Sequence, residues 1–314
     1  MRIAICVGTF QRRELLRSLL TGISQLTFRK MPTPEIEIIV VDNDAAGSAR
    51  EICEAVKLPW RKKYVVEPRR GIAYVRNRAV HEADNANLIA FIDDDEAPCA
   101  SWLDELLWAQ RKFNADVVTG PVLPRFVTGV ADWVKRGEFF EKPKYETGNS
   151  PDLPSTNNAL IRSEVFSCIA GFDEQFQLTG GEDTHFFLRV ARAGYRIVWS
   201  QEAVVYETIS KERANLGWIL HRGYQGGNSW ALCESSLDGR ARVRIARFTK
   251  GCVHVVGGVG LVFVSFFSGR AAVLWALRRA CLGAGMLTGL FGRKYLAYAS
   301  SGAALVEQTP KLGR

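Results

Sequence analysis

One regularity narrows the fold more than any other. Apolar runs of strand length, R-I-A-I-C-V-G (2–8), E-I-E-I-I-V-V-D (35–42), K-Y-V-V-E (63–67), N-L-I-A-F-I-D (87–93) and A-D-V-V-T-G-P-V (115–122), are separated by segments of helical period at 13–24, 47–57, 72–84 and 100–113. Near-continuous β-branched runs read as strands covered on both faces, and strands alternating with helices read as an α/β fold built on a mainly parallel sheet. In such sheets ligands bind outside the carboxyl ends of the strands. Polar residues collect at those ends: Thr9 and Arg12 after the first strand, Asp42 and Asn43 after the second, Arg69 to Gly71 after the third, and Asp93 to Asp95 after the fourth.

The fourth strand poses the sharpest question, because L-I-A-F-I runs directly into Asp93, Asp94, Asp95 and Glu96. Adjacent carboxylates repel, and burying one without compensation is costly. A solvated acidic turn is the plain alternative. At the end of a buried strand, among other polar strand ends, the acids are expected to hold Mg²⁺ or Mn²⁺, since hard cations take carboxylate oxygens and bridge to phosphates. A haloacid-dehalogenase phosphatase would follow its nucleophilic Asp with D-x-[TV], whereas here Asp95 is followed by Glu96 and Ala97.

A second acidic motif, G-G-E-D-T at 180–184, opens a helix whose Phe187, Leu188, Val190 and Ala191 form one apolar side. Glu182 and Asp183 fall in its first turn, where the helix dipole favours carboxylates. Simple N-terminal capping explains that placement as well. The flanking glycines admit a substrate close to the backbone, which favours a functional role.

Taken in order, T-F-Q-R at 9–12, V-D-N-D at 41–44, R-R-G-I-A-Y-V-R-N at 69–77, F-I-D-D-D at 91–95, G-F-D at 171–173, G-E-D at 181–183 and G-Y-R-I at 194–197 resemble family 2 glycosyltransferases of the GT-A fold. The resemblance covers about residues 1–210. More narrowly, P-R-R-G-I-A-Y-V-R-N with F-I-D-D-D-E-A-P is similar to the bacterial succinoglycan-type exopolysaccharide glucosyltransferases.

That resemblance implies a Rossmann-like, nucleotide-sugar-binding sheet and an inverting, metal-dependent transfer of a hexose from a UDP-sugar, UDP-glucose first among them. Thr9 and Asp42 would contact the uracil, and Arg12, Arg76 and Asp94 would support the nucleotide sugar. Asp93 would face the ribose and share the metal with Asp95, which binds the ion on the diphosphate. Asp183 is the expected base, with Glu182 the close second. Many relatives carry a His after the apolar strand that closes the domain; this chain reads A-V-V-Y-E, so Glu207 is either a third oxygen ligand or only a strand-end charge. His185 and His221 are expected to pack or face solvent.

Charge divides the chain. Residues 1–210 carry 26 Lys and Arg against 29 Asp and Glu, whereas residues 211–314 carry 15 against 4. The basic third interleaves R-A-R-V-R-I-A-R-F-T-K (240–250) and the apolar run 252–268 with Arg270, Arg278, Arg279, Arg293 and Lys294. Seventeen residues lie at the lower limit for crossing a bilayer. Helices lying in the headgroup layer, or a shallow re-entrant hairpin, with basic residues on anionic lipid, fit better. Nucleic acid does not fit, because the cationic stretches alternate with Val, Phe, Leu and Trp and no nucleic-acid-binding signature is present. The boundary is therefore drawn at 210/211, between a catalytic domain and a basic, apolar helical region expected to associate with membrane, an ordinary buried helical subdomain with an Arg-rich rim being the plain alternative.

The seven cysteines are scattered without a C-x-x-C pair, which suits neither a disulfide framework nor a zinc site. The start at Met1 runs straight into a strand, so the catalytic part is expected on the cytoplasmic face of the inner membrane. The acceptor would be a saccharide or a polyprenyl-diphosphate-linked oligosaccharide. Two other classes stay open: a sugar nucleotidyltransferase, although T-F-Q-R-R lacks the Gly-rich loop it wants, and a non-catalytic membrane scaffold with nucleotide-sugar affinity.

Overall fold

The computed structural model describes residues 1–152 and 154–297, with the backbone of 306 and 307. Its first half runs β1 (Arg2–Thr9), α1 (Arg13–Ile23), β2 (Glu35–Asp42), α2 (Arg50–Ala55), β3 (Arg61–Val66), α3 (Ile72–Glu82), β4 (Leu88–Ile92), β5 (Glu96–Pro98), α4 (Trp102–Phe113), β6 (Val117–Thr119) and β7 (Val122–Phe126). There follow α5 (Asp132–Arg136), β8 (Asn158–Arg162), α6 (Ser163–Ile169), α7 (Glu182–Arg192), β9 (Ile197–Trp199), β10 (Val205–Ile209), α8 (Leu216–Leu237), α9 (Ala241–Ser265) and α10 (Arg270–Leu290). Two compact units result, one of residues 1–125, 141–177 and 182–208, the other of residues 126–140, 178–181 and 209 onward. A single cut near residue 210 leaves out the two segments that join the second unit from within the first two hundred residues.

In the first unit a seven-stranded sheet has the order β3-β2-β1-β4-β8-β6-β9. The strands β3, β2, β1 and β4 are mutually parallel, β8 runs antiparallel to β4 and β6, and β9 is parallel to β6. Alternation along β1 feeds two cores. Ile3, Ile5 and Val7 pack with Leu16, Leu19, Leu20 and Ile23 of α1 and with Trp102, Leu103 and Leu106 of α4. Ala4 and Cys6 turn the other way, toward Ala73, Val75 and Ala79 of α3 and Phe186 and Val190 of α7. Period-two strands buried on both faces require this arrangement.

Two expected elements change. The single strand over 115–122 is broken into β6 and β7 at Gly120-Pro121, where proline has no N–H to give the ladder. A Cβ at Gly120 would stand 2.5 Å from the Ala203 carbonyl, so only glycine lets that loop approach. The helix over 47–57 shrinks to the six residues of α2. A second small sheet, β5-β10-β7, sets Glu207 directly opposite Glu96.

The second unit is a helical assembly. Its core joins Val130, Val134 and Phe139, around α5, to Ile219 of α8 and Leu274 of α10, and the Trp275 indole donates to the Gly137 carbonyl at 2.7 Å. Helix α8 starts on Asn215, whose side chain accepts from Trp218 N–H. Helices α9 and α10 approach closely; a Cβ on Gly283 would come within 2.5 Å of the Gly251 carbonyl. Arg247 of α9 is buried in an ion pair with Glu234 of α8. The outward side of α9 is apolar: Ile245, Phe248, Val256, Val259 and Phe263 recur at intervals of three, four or eight and are all exposed. The stretch Ala241–Ser268 is long and apolar enough to cross a membrane by length and composition.

Candidate functional site

Strand β1 has β2 on one side and β4 on the other, so the connections leave it in opposite directions and open a crevice at the carboxyl ends. Thr9 and Asp42 are register partners there, and Asn43 N–H donates to the Thr9 carbonyl at 2.8 Å. Asp42 itself is fully buried. Its carboxylate accepts from the N–H of Asp44 and Ala49 and, at 2.8 Å, from the Tyr64 hydroxyl. It shapes the turn after β2 and presents no surface of its own to a base. Asn43 braces the next loop by donating to the carbonyls of Glu67 and Arg69 and accepting from Gly71 N–H. Gly71 takes φ +144°, and a Cβ there would collide with Gln177 at 2.5 Å.

The four acids after β4 separate by alternation. Asp94 and Glu96 turn inward, 4% and 2% exposed. Asp94 accepts from the Thr9 hydroxyl at 2.8 Å and from Arg12 Nη1 at 3.0 Å. Glu96 accepts from Asp93 N–H and from the Asn157 amide, each at 2.8 Å. Burial holds both carboxyls above their ordinary range, and for Glu96 the nearby charges of Asp93 and Glu207 add to it. Asp93 and Asp95 are the two left partly exposed. Arg12 Nη1 also lies 3.3 Å from Asp95, while Thr208 N–H donates to the Asp95 carbonyl and brings neighbouring Glu207 to the turn. Burial, then the charges of Asp93 and Glu207, push Asp95 up to about 7.

Arg76 links this turn to the second acidic motif. From α3 its Nη1 donates to Glu182 Oε1, and its Nη2 lies 3.7 Å from Asp93 Oδ1. Glu182 is buried, and burial pushes it up to about 7 against the pull of Arg76. Asp183, one residue on, is half-buried and accepts from Thr184 N–H at 2.7 Å. The G-F-D segment is clamped to the same helix α3, since the Asn77 side chain both accepts from Phe172 N–H and donates to its carbonyl. His185 packs on Phe176 with ring centroids 4.8 Å apart, as a histidine that fills space does.

Thr9, Arg12, Asp94 and Asp95 thus form one group, and Asp93, Arg76 and Glu182 a second that touches it; Asp42 stands apart with its own donors. The outward acids are hard oxygen donors in an excess of negative charge, which fits a divalent cation. Among the described residues no three His, Cys, Asp or Glu converge into a complete cage, so protein would supply only part of a coordination shell. Asn157 and Tyr64 have no local signal: their partners lie 61 and 22 residues away.

The description "Glycosyl transferase family 2" matches residues 4–169, and "Glycosyl transferase family group 2" matches residues 88–300. Succinoglycan biosynthesis protein ExoM of Rhizobium meliloti (strain 1021) is 31% identical over 302 residues, 94% of this chain and 94% of that protein. Succinoglycan biosynthesis protein ExoA of the same strain is 25% identical over 282 residues, covering 86% of this chain and 81% of that one. Among solved structures, mannosyltransferase PcManGT from Pyrobaculum calidifontis, in complex with GDP-Man and Mn²⁺, aligns with a TM-score of 0.64 at 17% identity over 93% of this chain and 88% of that one. S. aureus TarS 1–349 in complex with UDP-GlcNAc aligns at 0.53 and 15% identity over 96% of this chain and 98% of that one. The fold is GT-A.

Proposed function

Because the chain belongs to glycosyl transferase family 2 and is a glycosyltransferase, we propose that it moves a hexose from a UDP-sugar, UDP-glucose first among them, to a saccharide or polyprenyl-diphosphate-linked acceptor in exopolysaccharide biosynthesis. The observation that carries this reading is the junction made by Arg76 between the outward-facing Asp93 and the Glu182-Asp183 pair. The relative named for succinoglycan biosynthesis supports the polymer, and the fold-mates solved with UDP-GlcNAc and with GDP-Man show that the fold by itself does not choose the donor.

Asp95 and Asp93, with Glu207 beside them, would hold Mg²⁺ or Mn²⁺. When bound, the ion offsets the negative charge that develops on the departing UDP. Arg12 keeps Asp94 and Asp95 in position, and Thr9 and Asp42 hold the loops that face the base. Asp183 takes the proton from the acceptor hydroxyl. What supports Asp183 over Glu182 is access: Glu182 is buried and committed to Arg76, whereas Asp183 is half-exposed. One base and no covalent intermediate give inversion at the anomeric carbon.

The exposed apolar side of α9, beside exposed Arg242, Arg244 and Lys250, supports attachment to the cytoplasmic face of an anionic inner membrane. Incubating full-length protein in membranes with a panel of UDP-sugars and a polyprenyl-diphosphate saccharide tests the whole reading. Transfer is expected from one UDP-hexose, with Mg²⁺ or Mn²⁺ present. Transfer from GDP-mannose alone would overturn the donor assignment.

A further inference from the structure

Within the helical unit, α8, α9 and α10 line a half-open cavity of about 660 Å³ whose wall is mostly apolar, Leu261, Ala272 and Leu282 among its lining. Yet His254, Arg278 and Arg279 line it too. Among the described residues neither Arg278 nor Arg279 is paired with a carboxylate. Glu234 and Asp238, acids of the same unit, are already engaged by Arg247 and Arg240. Arg222 adds a repelling charge beside Arg278, and His254 Nδ1 is buried with no hydrogen-bond partner. Arg278, half-buried with its guanidinium 4.7 Å from the Trp275 ring centroid, and Arg279, exposed at the rim, thus set two cations without a carboxylate partner beside an apolar wall, which is complementary to an anion that carries an apolar body.

We propose that this cavity binds a single apolar chain ending in a phosphate, with the phosphate on Arg278 and Arg279 and the chain along Leu261 and Ala272. Two guanidiniums match the charge of about −2 on a phosphate monoester better than the single charge of a carboxylate, and their planar forks suit its oxygens. The volume admits roughly twenty groups the size of a water or a methylene, room for a ten-carbon chain with its phosphate. Depth agrees. Arg278 and Arg279 lie about 12–14 Å along α10 from Arg270, at 1.5 Å per residue, and the turn before Arg270 carries the exposed Phe266 and Phe267. With those rings at the acyl boundary, the arginines stand at headgroup level. The ligand is a free phosphate end rather than the sugar-capped diphosphate of the proposed acceptor, and its test reads binding without donor, so its failure leaves the transfer reading intact.

The test is calorimetry of the full-length protein in nonionic detergent with decyl phosphate, decanol, inorganic phosphate and dihexanoylphosphatidylglycerol. Decyl phosphate is expected to bind one to one, about tenfold or more tighter than the other three. Arg278→Gln with Arg279→Gln should weaken it by about tenfold or more, and so should Ala272→Phe, which fills the wall without touching the charges. Inorganic phosphate binding as tightly would reduce the site to a bare anion patch and overturn the proposal. So would equal binding of the two-chain phospholipid, or decyl phosphate affinity unchanged in Ala272→Phe. If the arginine variant does not fold, the ligand series on the unaltered protein decides alone.

Discussion

Arg76 donates to Glu182 across 106 positions of sequence, closing a buried ion pair between α3 and the first turn of α7. The same guanidinium faces Asp93 at 3.7 Å, so one side chain ties together the two acidic motifs.

Removing one partner of a buried pair leaves the other charge uncompensated, at about 3–5 kcal/mol, whereas removing both is much milder. Arg76→Met should therefore destabilise the protein more than Arg76→Met combined with Glu182→Met. Urea denaturation of the two variants checks this. Equal midpoints would mean that Glu182 carries no penalty once Arg76 is removed.

Asp183→Asn should keep donor affinity and lose turnover by roughly 10²–10⁴-fold, since it removes a base and preserves shape. Glu182→Gln should show mainly a stability loss. Single-turnover transfer, with UDP-sugar calorimetry beside it, separates the two. Normal turnover in Asp183→Asn with none in a folded Glu182→Gln would move the base by one residue.

Asp95→Asn should abolish the gain in UDP affinity given by Mn²⁺, because Asp95 is the more enclosed of the two outward acids. Titrating UDP into each protein with the metal and with a chelator is the measurement. A metal-dependent gain that survives the substitution removes Asp95 from the ion site.

Burial lowers the pKa of His185 from 6.5 to about 4. Between those values the unfolded chain binds the proton and the folded one does not, so stability rises with pH across the window and is lost as the pH falls through it. At about 1.4 kcal/mol per pH unit the effect reaches roughly 3 kcal/mol. His185→Leu should flatten that part of the stability curve. A curve as steep as that of the unaltered protein would assign the slope to other groups.

Val256 and Phe263 are 72% and 75% exposed on α9, so replacing both by Glu should leave the helical core unaltered. Each loses about 1.5–3 kcal/mol of apolar transfer. Flotation with anionic vesicles is expected to fail for the double variant, while high salt releases the unaltered protein only in part. A variant that floats normally would take α9 out of membrane attachment.

How much of this was legible before folding depends on the distance between partners. The strands β1, β2 and β4 and the helices α1, α3 and α4 end within two residues of where the periodicity puts them. Each depends on its own neighbours: apolar spacing along one segment, and a polar strand end beside it. The break at Gly120-Pro121 is different, since Pro121 marks it locally but the contact that requires Gly120 comes from Ala203.

The sequence by itself determined the alternating α/β order, the carboxyl edge at which the polar residues gather, the family motifs and the concentration of basic charge in the last third. These are properties of short segments, set by side-chain period, backbone preference and composition, and they survive without any long-range contact. Only the tertiary structure decided which two of four consecutive acids face outward, because the choice is made by Thr9, Arg12 and Asn157, each more than 60 residues away. It likewise committed Arg76 to Glu182, enclosed Asp42 among its own donors, and left one side of α9 bare where α10 covers the other. A run apolar on all sides carries no periodicity to say which face is buried; only the packing partner breaks that symmetry.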